Sequence, residues 1–122
     1  MIIGAHVLLY SKDPDADRAF FSDVLRLHSV DAGGGWLIFA LPPAEVAVHP
    51  AEPDADDHKS LRADFYLMCD DLAGTTQALE AKKIKCTEVR KERWGIRTTI
   101  KLPSGGEIGL YQPTHPTAFQ RS

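Results

Sequence analysis

The stretch Leu102-Pro103-Ser104-Gly105-Gly106-Glu107-Ile108-Gly109-Leu110-Tyr111-Gln112-Pro113 decides how this chain is read. It runs Leu-Pro, a tight turn, then Glu, an apolar residue, a small residue and another apolar residue, and it closes on Pro. An earlier stretch, Leu41-Pro42-Pro43-Ala44-Glu45-Val46-Ala47-Val48-His49-Pro50, follows the same plan. Glu45 and Glu107 stand 62 positions apart in a chain of 122 residues. Repetition near half the length marks a duplicated module. Two unrelated hairpins that merely share Pro and Gly punctuation would not also repeat their flanking segments, and these do.

Upstream of the later stretch, residues 96–102 read as a strand after a turn at Trp94-Gly95, and residues 85–90 as another. Asp70-Asp71 opens a helix that carries Leu72, Ala78 and Leu79 and ends near Lys83. Arg62 to Cys69 is the strand before it. The first half has the same order. Ile2 to Tyr10 is a β-branched strand, and Asp13-Pro14 starts a helix with a capping carboxylate and a proline that loses no needed donor. Ala16, Ala19, Phe20, Val24 and Leu27 recur at helical spacing, so the helix is expected over 14–27. Strands at 28–32, 36–41 and 45–49 follow. The expected organisation is therefore an N-terminal module 1–50, an acidic, Pro-containing linker 51–60, a C-terminal module 61–113 and a polar tail 114–122, in which Phe119 is the one docking candidate. Each module reads strand–helix–strand–strand–strand. Antiparallel strands with one crossover helix per half predict an α+β fold, with helices outside curved half-barrel sheets.

Composition excludes several functions. The apolar fraction of 43% and charged fraction of 25% suit a soluble globule. A net charge of -3, with no basic patch interleaved with aromatics, gives no case for nucleic acid. The basic runs 82–85 and 90–93 read as solvated faces. No apolar run approaches the ~20 residues that cross a membrane. Nothing resembles a secretory signal, and Cys69 and Cys86 form no disulfide framework, so a reduced cytoplasm is the expected location.

Strand side chains alternate between faces. One face then holds Val46, Val48, Ile108, Leu110, Val7, Leu9, Phe65 and Leu67, suited to packing on the helices. The other gathers His6, Glu45, His49, Asp64, Tyr66, Glu107 and Tyr111 on a concave side. Polar groups in a tyrosine-lined hollow are what a small-molecule site needs.

With these residues in view, the chain resembles the vicinal oxygen chelate superfamily, which includes glyoxalase I, bleomycin-resistance-type proteins and extradiol dioxygenases. The resemblance rests on His6 and its strand, on the helix from Asp13-Pro14 through Phe20-Phe21-Ser22-Asp23-Val24-Leu25-Arg26-Leu27, and on Trp36 to Phe39. It rests also on Cys69-Asp70-Asp71-Leu72 and on Leu102 to Tyr111. It covers nearly the whole chain and implies two βαβββ modules and a homodimer. It also places four metal-ligand positions at His6, Ala47, Asp64 and Gly109. His6 and Asp64 suit a metal, whereas Ala47 and Gly109 carry no donor. Glu45, Glu107 and His49 lie two residues away on the same faces and could supply the missing donors to a divalent Mn, Fe or Zn.

Two functions follow from the resemblance, and both stay open at this level. One is a lyase, isomerase or dioxygenase acting on a small oxygenated molecule, either with a metal as Lewis acid and Glu107 or Glu45 as base, or without metal, with His6 or His49 as base and Tyr111 or Tyr66 donating to an oxyanion. The other is a metal-free dimer that sequesters a small molecule or antibiotic, with Tyr66, Tyr111, Trp36 and Trp94 stacking on it, Met68 packing adaptably and His49 lining the cleft.

Overall fold

The computed structural model describes residues 6–50 and 63–118. Residues 2–5 of the first expected strand, the linker 51–60 and Phe119 lie outside them. Among the described residues, two helices and two sheets make a small α+β structure in which no barrel closes. The chain divides into two compact units: Met1–Ala40 with Lys101–Gly106, and Leu41–Ile100 with Glu107–Ser122.

In the first unit, α1 covers Pro14–Asp23. The Asp13 carboxylate caps it, accepting from the Ala16 N–H at 3.3 Å. It is four residues shorter than its periodicity predicts. Arg26 turns into the left-handed region at φ 61°, and the Leu27 N–H reaches back to the Phe21 carbonyl. That backbone bond closes a helix end whatever the apolar spacing beyond it. Phe20 is buried, and Phe21 meets Phe39 edge to face at 5.6 Å. The strands β1 (Ser29–Asp31) and β2 (Leu37–Phe39) pair antiparallel, with Val30 opposite Ile38. Their turn is held by the Asp31 carboxylate, which accepts from the Gly33 and Gly35 N–H groups at 2.7 and 3.2 Å.

One carboxylate ties α1 to the turn at Lys101–Gly106. Buried Asp17 accepts from the Ser11 hydroxyl (2.6 Å), the Ser104 hydroxyl (2.7 Å) and the Ser104 N–H (3.0 Å). Burial pushes its pKa up, but these three bonds outweigh it and hold the group below the ordinary carboxylate value. A lowered folded pKa gives stability that is present above the unfolded value, near 3.9, and is lost as pH falls through the folded one. Asp17→Ala is therefore expected to cost about 1.5–3 kcal/mol at neutral pH, the scale of hydrogen bonds to a charged group. The deficit should shrink as pH drops below about 4. Urea titrations of both proteins at pH 7 and pH 3 check this, and a deficit that does not change with pH would count against it.

The second unit holds β3 (Tyr66–Met68), α2 (Leu72–Ala81), β4 (Arg90–Glu92), most of β5 (Gly95–Lys101) and β6 (Glu107–Pro113). The sheet order is β3-β6-β5-β4. β3 runs parallel to β6, which corrects the expectation of antiparallel pairing alone. The crossover through α2 returns the chain to the same direction. Asp71 caps α2, and Leu72 and Leu79 are buried together with Thr98, Ile100, Ile108 and Leu110 from one face of the sheet. The Leu72 N–H also donates to the Gln112 side chain at 2.9 Å, which fixes α2 on β6.

Two expected strands form no ladder among the described residues, His6–Tyr10 and Glu45–His49. Val46 and Val48 are 89% and 92% exposed. Prolines 42, 43 and 50 flank the second segment, and each removes a backbone donor. Parallel pairing is also the weaker kind per residue. The matching pair in the other half, β3 and β6, is reinforced by a ring cluster that these segments lack.

Candidate small-molecule site

The cluster begins with a glycine. Gly109 is opposite Tyr66 in the β3–β6 register, and the Tyr66 ring lies across the space where a side chain at 109 would stand. From there Tyr66 meets Trp94 at 5.8 Å and Tyr111 at 5.7 Å, and Trp94 meets Tyr111 at 5.0 Å, all edge to face. Three rings in mutual edge-to-face contact form a rigid wall. Tyr111 is buried at its centre, while Tyr66 and Trp94 are half-buried and keep open surface. Met68, half-buried, pairs with Tyr111 in register and adds sulfur to the wall.

A polar chain leads from Tyr111. Its hydroxyl lies 3.4 Å from His115 Nε2, and the His115 ring stacks on the Tyr111 ring at 6.1 Å. His115 Nδ1 is 2.8 Å from the Pro116 carbonyl, which can only accept. In neutral imidazole the proton therefore sits on Nδ1, and Nε2 accepts from the tyrosine. Glu45 Oε1 is 3.8 Å from the same Nε2, and Glu45 Oε2 accepts from the Ala118 N–H at 2.7 Å. Burial, and then the Glu45 charge, push the Tyr111 phenol up, so it stays a protonated donor.

The structure thus joins Glu45, Tyr66, Met68, Trp94 and Tyr111, all of which the sequence pointed to. Glu107 is exposed at the start of β6, Asp64 is exposed before β3, and His49 is exposed in the segment without a ladder. His6 is exposed and belongs to the first unit. Trp36 is in that unit too, exposed under the Arg18 guanidinium at 4.8 Å. His115 was missed. It follows two residues after Pro113 in a tail without periodicity, and only its four-residue distance from Tyr111 hinted at a role.

The metal that the sequence resemblance implies does not fit these residues. Ala47 and Gly109 carry no donor, and the Tyr66 ring fills the place beside Gly109. Among the described residues, no three His, Cys, Asp or Glu side chains gather as a metal would require. No helix among them is long and apolar enough to cross a membrane.

No protein-family model matches the sequence, and no curated protein matches it. Solved structures do. TnmS3, an antibiotic binding protein from Streptomyces sp. CB03234, is 23% identical and superposes with a TM-score of 0.62 over 93% of this chain and 100% of its own. Lactoylglutathione lyase from Agrobacterium tumefaciens is 21% identical, with a TM-score of 0.57 over 90% of this chain and 92% of its own. A glyoxalase/bleomycin resistance protein from Streptomyces sp. CB03234 is 22% identical, with a TM-score of 0.56 over 84% and 93%. With its two helices and its β3-β6-β5-β4 sheet, the chain has the fold of the glyoxalase/bleomycin-resistance proteins, the fold of the vicinal oxygen chelate superfamily.

Proposed function

We propose that this protein binds a small, flat, oxygenated molecule against the Tyr66–Trp94–Tyr111 wall without a metal, sequestering it. The observation that carries this reading is the Tyr66 ring lying over Gly109. An aromatic surface stands where the family resemblance puts a metal donor. An antibiotic-binding protein of the same fold supports the reading. Stacking on half-exposed Tyr66 and Trp94 supplies area at low entropic cost, and the Tyr111 oxygen, whose proton goes to His115, can accept from a ligand hydroxyl.

The probe is 2-naphthalenemethanol, flat and carrying one oxygen. In a Trp36→Phe background, Trp94 is the remaining tryptophan and reports binding by quenching. Trp94→Ala should weaken binding about tenfold in calorimetry, the scale of one ring contact. Dialysis against a chelator should leave it unchanged. Binding that collapses with the chelator would overturn the metal-free reading. The working unit is proposed to be a homodimer that covers the exposed apolar segments 7–10 and 46–48. A sedimenting monomer at micromolar concentration would refute that.

The Tyr111–His115–Glu45 chain favours a second, enzymatic reading. Tyr111 would protonate a developing oxyanion, and His115, entering as an imidazolium held beside the Glu45 carboxylate, would return its Nε2 proton to the phenolate and end neutral. Mass spectrometry of recovered ligand separates the two readings, since a sequestering protein returns it unchanged.

A further inference from the structure

The aromatic wall is half of a larger surface. The Thr114 N–H donates to the Trp94 carbonyl at 2.9 Å, and this bond fixes the register of the consecutive, antiparallel strands β5 and β6. Continued along the pair, that register sets Arg97 beside Tyr111 and Thr99 beside Gly109. The next strand sets Arg90 opposite Arg97. Side chains opposite one another share a face, so two arginines continue the row that starts at Met68 and Tyr111.

A bulge shapes this second half. Arg90 pairs with Arg97, yet Cys86 bridges Ile100, and the Thr87 N–H donates to the Thr99 carbonyl at 2.9 Å. The two registers differ by one residue, so Thr87 and Glu88 both oppose Thr99. Bulges of this kind re-aim side chains and concentrate near functional sites. Here it produces a depression of about 240 Å³ lined by Thr87, Glu88, Arg90, Arg97 and Thr99. The Thr87 hydroxyl is 3.1 Å from that of Thr98 and 3.0 Å from that of Thr99, so a chain of hydroxyls ends at its wall.

The lining of the depression itself carries two guanidiniums and one carboxylate, Glu88. Like charges directly opposite on neighbouring strands are destabilising. Glu92 offsets part of this, accepting from Arg97 Nε at 3.1 Å, and Glu88 brings one carboxylate to the wall. Arg97 is held through Nε alone, which leaves its terminal N–H groups to donate, and Arg90 stands opposite it in the register. A planar carboxylate between them would accept from both.

We infer that this face takes an aromatic acid, with its ring on Tyr66, Trp94 and Tyr111 and its carboxylate between Arg90 and Arg97. This rests on the binding reading above and adds the ligand's charge to it. The test compares naphthalene-2-carboxylate with 2-naphthalenemethanol on the full chain by calorimetry. The acid should bind at least about tenfold tighter, and the advantage should fall with added salt. Arg90→Gln and Arg97→Gln should each remove most of that advantage while the alcohol's affinity stays the same. Unchanged thermal midpoints show that the variants are folded. If the acid binds no tighter than the alcohol, or keeps its advantage in both variants, the charge assignment is overturned and the aromatic wall stands. If neither compound binds, the wall reading falls with it. Binding of the acid that is indifferent to Trp94→Ala would place the anion elsewhere and also overturn the composite site.

Discussion

Gly95→Ala is expected to destabilise the second unit by about 3 kcal/mol or more, the sum of backbone strain and overpacking. Gly95 sits at φ +152°, in the region L side chains avoid, and it is buried. A Cβ there would run into the Gln112 carbonyl oxygen and the Pro113 backbone. Neither atom can swing aside as a side chain would. Relief would require parting β5 from β6 next to the bond from Thr114 to Trp94, which positions the indole for its contact with Tyr111. The loss should therefore appear twice, in the urea midpoint and in the near-ultraviolet dichroism of the ring cluster. A variant within a few tenths of a kcal/mol of the parent, with an unchanged ring signal, would refute the packing described for this hairpin.

Gly109→Ala should cost about 2–3 kcal/mol by a different route. The added methyl would overlap the Tyr66 ring, a side chain that can yield. It would yield by leaving Trp94 and Tyr111, giving up two edge-to-face contacts. The diagnosis is a cycle with Tyr66→Ala. Once the ring is gone, the three atoms nearest the added methyl go with it, and the glycine substitution should cost little. Coupling above about 1 kcal/mol is expected between residues in such contact. Additive penalties would show that the ring does not rest on Gly109. Naphthalenemethanol affinity should fall with the single glycine variant, since the displaced ring no longer completes the wall.

These two glycines also mark where the sequence could and could not be read. The repeated Leu-Pro turn and the two Asp-initiated helices spoke plainly, because caps, prolines and apolar periodicity act locally. Placing Tyr66 and Tyr111 in one site needed only alternation along strands, whereas Glu45 joins it from a segment without a ladder, through His115 and Ala118. The reason Gly109 is a glycine was hidden, since it depends on a ring 43 positions away in sequence. Arg90 reads as solvated charge within the run 90–93, because the face it joins is set by its pairing with Arg97, which leaves no mark in composition. His6–Tyr10 and Glu45–His49 have strand-forming residues but no ladder. Propensity gives a segment a preference, and pairing needs a partner.

The strand β4 brings a last consequence. It is three residues long, lies at the margin of its sheet, and exposes Arg90, Lys91 and Glu92, with Arg93 following. A margin this short and this charged is a poor template for another chain's backbone, because stacking copies there would align cation on cation. Arg90, proposed to greet a ligand, thus also helps guard the protein against fibril-like stacking in concentrated solution, so neutralising it would exact a toll in solubility as well as in affinity.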